Sequence, residues 1–158
     1  MISFSTMQDD DYPNYLKYFI PDYVDEIRSN YGLSPDAALA RAEQEIAQLL
    51  FKGVKTPGHR LFNLITDSEN TNKHVGYLWY KPDTAMRTVF IYDFHIFKKY
   101  QGNGLGKQTL HALEQNLRDK GFEQIRLRVA GDNARARHIY EVCGFGVTGI
   151  NMSKSLTE

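Results

Sequence analysis

The stretch Tyr100-Gln-Gly-Asn-Gly-Leu-Gly-Lys107 places three glycines within five residues, and a carboxylate, Asp93, stands just before it in an otherwise apolar run from Phe90 to Phe97. Glycines at a turn leave main-chain N–H groups uncovered and open to close approach. Where a helix starts at such a turn, its own unpaired N–H groups and its dipole add to the attraction for an anion. The chemistry on offer is phosphate binding; the plain alternative is a tight connection. A P-loop requires Gly-x-x-x-x-Gly-Lys-Ser/Thr, but reading back from Gly106-Lys107 puts Gln101 first and Gln108 last. A dinucleotide fingerprint requires Gly-x-Gly-x-x-Gly, and here the third glycine, Gly106, falls one place early. Asp93 must be partnered or functional, because an unpaired buried charge is costly. His95 shares its side of the strand by alternation and titrates in the neutral range.

What fits in full is Gln101-x-x-Gly104-x-Gly106, which resembles the pyrophosphate loop of the GNAT superfamily of N-acetyltransferases. A second segment, Asn133-Ala-Arg-Ala-Arg-His-Ile-Tyr140-Glu-Val-Cys-Gly144-Phe145, is similar to the family's next element, Asn-x-x-Ala-x-x-x-Tyr-x-x-x-Gly-Phe. The resemblance implies that acetyl-coenzyme A is the cosubstrate, with Gln101, Gly102, Asn103, Gly104, Leu105, Gly106 and Lys107 around its diphosphate. It also implies that Phe94, His95 and Ile96 present main-chain groups to its pantetheine arm, that Asn133 steadies that arm, and that Tyr140 lies at the sulfur. Lys98 departs from the pattern, standing where a proline is common. On this resemblance Tyr140 is the general acid toward the departing thiolate, with a core position on the helical face it shares with Ala136, Ile139 and Cys143 as its alternative. Asp93 is a base or an amine-binding group, with a structural salt bridge as its alternative. Asn133 on its own reads equally as a helix cap. Lys98, Lys99, Lys107, Arg135 and Arg137 are available to phosphates or are surface charge.

The 158 residues, 42% hydrophobic and 24% charged, correspond to one soluble domain spanning residues 1–158. No apolar run is long enough for a membrane span and the start has no leader-like pattern, so a cytoplasmic location is expected. The single cysteine, Cys143, has no partner for a disulfide and reads as structural, and the scattered histidines imply no metal. A net charge of zero argues against nucleic-acid binding. Residues 1–70 hold 6 Lys/Arg against 11 Asp/Glu and the remainder 13 against 8, so a polyanionic cosubstrate suits the second half and a cationic amine the first. A homodimer is left open. The alternatives to a transferase are an acyl-coenzyme A sensor without turnover and a nucleotide-binding protein using the same turn.

The elements that must position these residues follow from pattern. Ile2 to Met7 alternates as an edge strand, and Asp9 to Arg28 has helical spacing with a kink or restart expected at Pro21. Ser34-Pro35 starts a second helix that runs to about Phe51. Strands are expected at His59–Thr66 and His74–Lys81, joined by the polar loop Asp67–Lys73, and at Arg87–Phe97. A helix from Lys107 to Lys120, a strand from Glu123 to Ala130, a helix through Cys143 and a last strand from Val147 to Ser153 complete the chain. The resemblance places these in a GNAT-like α/β fold, a mostly antiparallel sheet whose parallel strands splay, flanked by helices.

Overall fold

The computed structural model describes residues 1–68 and 71–157. Their order is β1 (Ile2–Thr6), α1 (Tyr12–Tyr31), α2 (Pro35–Leu49), β2 (Arg60–Ser68), β3 (Thr71–Asp83), β4 (Thr88–Ile96), α3 (Leu105–Asp119), β5 (Gln124–Leu127) and α4 (Ala134–Val142). The strands form one five-stranded sheet in sequence order, antiparallel from β1 to β4 and parallel between β4 and β5. This is the expected mixed α/β class. One face packs Leu78, Val89, Ile91 and Ile96 against Leu113 and Leu117 of α3. The other packs Leu61, Tyr77 and Trp79 against Tyr15 of α1 and Ile46 of α2.

Local rules account for most boundaries. The Ser34 hydroxyl accepts from the Ala37 N–H at 3.2 Å and Pro35 occupies the first turn of α2. Of the kink or restart expected at Pro21, the restart does not occur, because α1 continues through it. The bond that Pro21 cannot donate would have gone to the Lys17 carbonyl; both residues are exposed, where water can take its place. β5 is shorter than the expected Glu123–Ala130. No strand forms over Val147–Ser153, where Val147, Ile150 and Met152 are 57%, 75% and 91% exposed. Gly144, Gly146 and Gly149 thin out the side chains that a strand there would need to pack. The expected loop Asp67–Lys73 is mostly paired strand, with Asp67 opposite Asn72 and Ser68 opposite Thr71; its residues 69–70 lie outside the described residues.

Two departures from regular pairing shape the middle of the sheet. Trp79 pairs with Asp93 and Tyr80 with Ile91, which leaves Tyr92 as an extra residue in β4. Strict alternation from Val89 and Ile91 would send Asp93 and His95 into the α3 core. The bulge instead gives that side to Phe94 and Ile96 and turns Asp93 and His95 toward Tyr15 and Tyr18 of α1. At the same point β4 loses its neighbour: pairing with β5 runs only from Thr88 opposite Gln124 to Ile91 opposite Leu127. From Tyr92 to Ile96 the β5-facing edge of β4 is open among the described residues.

Gly76, opposite Ile96 at this end of β3, fixes how closely the two strands approach. A Cβ added there would overlap the carbonyl oxygen of His95, a main-chain atom that cannot step aside. Gly76→Ala is therefore expected to destabilise the protein by roughly 2–4 kcal/mol, the scale of a severe overpacking defect. Thermal unfolding would show it as a lowered midpoint; an unchanged midpoint would mean that the approach is not a constraint.

Candidate active site

The glycine turn lies between the open end of β4 and the start of α3. Gly104 caps α3 in the left-handed conformation at φ 78°, which a residue with a Cβ adopts only with strain. The first helical bond is donated by Gln108 to the Gly104 carbonyl, and the main-chain N–H groups from Gly102 to Lys107 have no partner among the described residues. The Gln101 side chain donates from Nε2 to the Ile96 carbonyl at 2.8 Å, tying the turn to the end of β4. The uncovered amides at Gly102, Asn103, Gly104, Leu105, Gly106 and Lys107 belong to the turn whose glycine spacing the sequence displays. They lie at the positive end of a 15-residue helix, an arrangement that suits an anion such as a diphosphate.

Asp93 belongs to the stretch of β4 that has no β5 partner and turns its carboxylate to α1. Its Oδ2 accepts from the Tyr15 hydroxyl at 2.8 Å and its Oδ1 from the Tyr18 hydroxyl at 3.0 Å. The salt bridge offered as its alternative role is absent, since among the described residues no lysine, arginine or histidine pairs with it. The residue keeps some exposure, but its carboxyl group is enclosed. Burial pushes its pKa up to about 7, against the lowering effect of the two phenols, and the charges of Asp22 and Glu26 push the same way as burial. His95 stacks on Tyr18 with ring centres 4.1 Å apart. Burial lowers its pKa, opposed by Asp22, which favours the neutral ring.

Tyr140 faces this group from α4. Its ring contacts Phe94 of β4 at 6.4 Å and Phe145 at 5.5 Å, and its hydroxyl has no hydrogen-bond partner among the described residues. Burial raises its pKa and so does the charge of Asp93, which places the two groups within electrostatic reach. Asn133 caps α4, its Oδ1 accepting from the Ala136 N–H at 3.2 Å, so the cap is the role its geometry displays. Arg137 is engaged with Glu141 at 2.7 Å. Lys98, Lys99 and Lys107 are exposed around the turn. Cys143 is the C-cap of α4. A groove of about 1200 Å³ borders Tyr140, Phe145 and Arg128 on the β5 side and does not include the glycine turn. Among the described residues no cluster of His, Cys, Asp or Glu could hold a metal, and no helix is long and apolar enough to cross a membrane.

The sequence offers Tyr15 and Tyr18 only among several aromatic residues, with Tyr12, Tyr23, Tyr31, Trp79 and Tyr80, for a pocket suited to a cationic amine. Residues three apart share a face of α1, but nothing in the sequence shows that this face meets Asp93.

A mixed sheet that parts beside a turn of bare amides, with a carboxyl and a phenol flanking the opening, is the framework of an acyltransferase. The chain belongs to the Acetyltransferase (GNAT) family, whose model matches residues 20–145. It is 35% identical over 158 residues to the uncharacterized N-acetyltransferase YycN of Bacillus subtilis, covering 98% of this chain and 99% of that one. The crystal structure of YycN matches with a TM-score of 0.90 and 34% identity over 100% of both chains. A second Bacillus subtilis relative, the uncharacterized N-acetyltransferase YdgE, is 28% identical over 121 residues and 75% of each chain. The fold alone is shared with the spermidine N-acetyltransferase of Vibrio cholerae, whose structure in complex with CoA and spermine matches at 20% identity over 94% of this chain and 82% of that one, with a TM-score of 0.63.

Proposed function

We propose that residues 1–158 form one catalytic domain that transfers acetyl from acetyl-coenzyme A to a primary amine by direct attack in a ternary complex. The observation that carries this is the coincidence, at Tyr92, of the bulge and the loss of β5 pairing. One irregularity opens the edge of β4 toward the amides of Gly102–Lys107 and delivers Asp93 to the opposite wall. Acetyl-coenzyme A supplies the activated acetyl group. The amides hold its diphosphate, and the edge of β4 along Phe94, His95 and Ile96, which has no β5 partner and whose Ile96 carbonyl is taken by Gln101, lies where an extended arm can run.

Asp93 accepts the proton that a cationic amine must lose before it can attack. At a pKa of about 7 rather than the usual 3.8, it is roughly a thousandfold stronger as a proton acceptor, since each pKa unit is tenfold. Tyr140 donates to the sulfur as the C–S bond breaks and the N–C bond forms. The two roles are coupled: the Asp93 charge holds the phenol proton back, and protonation of Asp93 removes that hold at the stage when negative charge reaches sulfur. Burial destabilises the departing thiolate as it does the phenolate, so the proton affinity of the sulfur rises along with that of Tyr140. On the acceptor side, Asp22 and Glu26 of α1 form no ion pair among the described residues. Their negative field favours an amine arriving as a cation.

Isothermal titration tests the cradle. Coenzyme A is expected to bind and ATP and NAD to bind far more weakly. Gly104→Val, which combines left-handed strain with a side chain beside the amides, is expected to weaken coenzyme A binding by roughly 10- to 100-fold. Preference for ATP or NAD would overturn the assignment. Free-thiol release with spermidine, lysine, an N-terminal peptide and an aminoglycoside then assigns the acceptor class.

A further inference from the structure

We infer that Tyr18, with Tyr15 behind it, is a positioning residue that clamps Asp93 and sets the pH at which that carboxyl becomes a base. This rests on Asp93 being the proton acceptor proposed above. Each phenol takes one carboxylate oxygen, Tyr15 on Oδ2 and Tyr18 on Oδ1, so the group cannot rotate without breaking both bonds and each oxygen keeps a lone pair for the amine. The phenols are themselves fixed. Tyr15 is fully buried and packs edge-on against Tyr77 at 4.9 Å, while Tyr18 stacks on both Tyr77 at 5.5 Å and His95 at 4.1 Å, nearly parallel to both. The clamp is therefore built from three elements, α1, β3 and β4.

The groups facing Asp93 divide by sign. From α1 come the donors Tyr15 and Tyr18 and the carboxylates Asp22 and Glu26; from β3 comes Tyr77, from α4 Tyr140, and on its own strand stands His95. A donor to a carboxylate favours its charged form, whereas a neighbouring carboxylate opposes it. Removing a phenol hydroxyl should therefore move the Asp93 titration upward and removing the Asp22 charge should move it downward. Removing the hydroxyl of a merely structural tyrosine would leave the titration where it was.

Carbon-13 NMR of protein labelled at the aspartate carboxyls reads this directly, with no amine or coenzyme present, from about pH 4 to about pH 10. The Asp93 signal is the one lost in Asp93→Asn. Its midpoint is expected near 7 in the native protein, about one pH unit higher in Tyr18→Phe, a tenfold change in the proton equilibrium, higher also in Tyr15→Phe, and lower in Asp22→Asn. A midpoint that stays or falls on loss of either hydroxyl overturns the clamp. Should Tyr18→Phe fail to fold, Tyr15→Phe decides by the same upward shift, with Asp22→Asn as the control of opposite sign. The two proposals fail separately. Native turnover in Asp93→Asn would defeat the base, whereas lost turnover there with an unmoved midpoint in Tyr18→Phe would defeat only the clamp.

Discussion

Asp93→Asn is expected to lower kcat by roughly 100- to 10,000-fold, the usual cost of removing a positioned general base, while leaving coenzyme A affinity intact. It should do so without weakening the fold at alkaline pH. Asparagine has the same shape, and its amide can accept from one of Tyr15 and Tyr18 and donate to the other, so neither hydroxyl is left without a partner. The sign of the stability effect follows from linkage. A carboxyl whose pKa is raised from 3.8 to about 7 on folding contributes most below 3.8, and that contribution is lost as pH rises toward 7. The loss is on the order of 3 kcal/mol after allowance for the partial exposure of the residue. Asparagine carries no such pH dependence. The unfolding midpoint of the variant should therefore equal or exceed that of the native protein near pH 8 and lose this advantage near pH 5. Kinetics and thermal unfolding on one preparation check both halves. A variant that melts earlier at pH 8 would show that the charge serves the fold.

How far this site can be read from sequence turns on the same strand. Asp93 stands out because a charge in an apolar run needs a reason, and the glycine turn stands out because its spacing fits one anion-binding pattern and fails two others. What alternation could not supply is the side on which Asp93 lies. It would have grouped Asp93 with Val89 and Ile91, and the Tyr92 bulge, which belongs to the pairing with β3 and not to β4 alone, reverses that grouping. Tyr15 and Tyr18 were hidden for a related reason. Residues 12–31 include several tyrosines at core-like spacing, and only the tertiary contact separates those that hold a carboxylate from those that merely pack. Pro21 does not restart the helix because its penalty depends on exposure, which the sequence does not state. The segment after α4 misled because its apolar residues alternate well enough for a strand while its glycines leave too little to pack.

Tyr140→Phe is expected to lower kcat by roughly 100- to 1000-fold with little change in coenzyme A affinity, because an interaction made as the thiolate departs is absent from the ground state. The ring contacts with Phe94 and Phe145 survive the substitution. The hydroxyl has no partner to strand, so the variant should melt at or above the native midpoint. The pH profile separates this lesion from loss of the base. With Asp93 intact, the acid limb of kcat/KM near pH 7 should persist in Tyr140→Phe and vanish in Asp93→Asn. In the double variant the losses should be less than multiplicative, because part of the phenol's contribution depends on Asp93 taking a proton first. Fully multiplicative losses would mean that the two groups act independently, and native turnover in Tyr140→Phe would leave the phenol a packing residue and move the acid elsewhere.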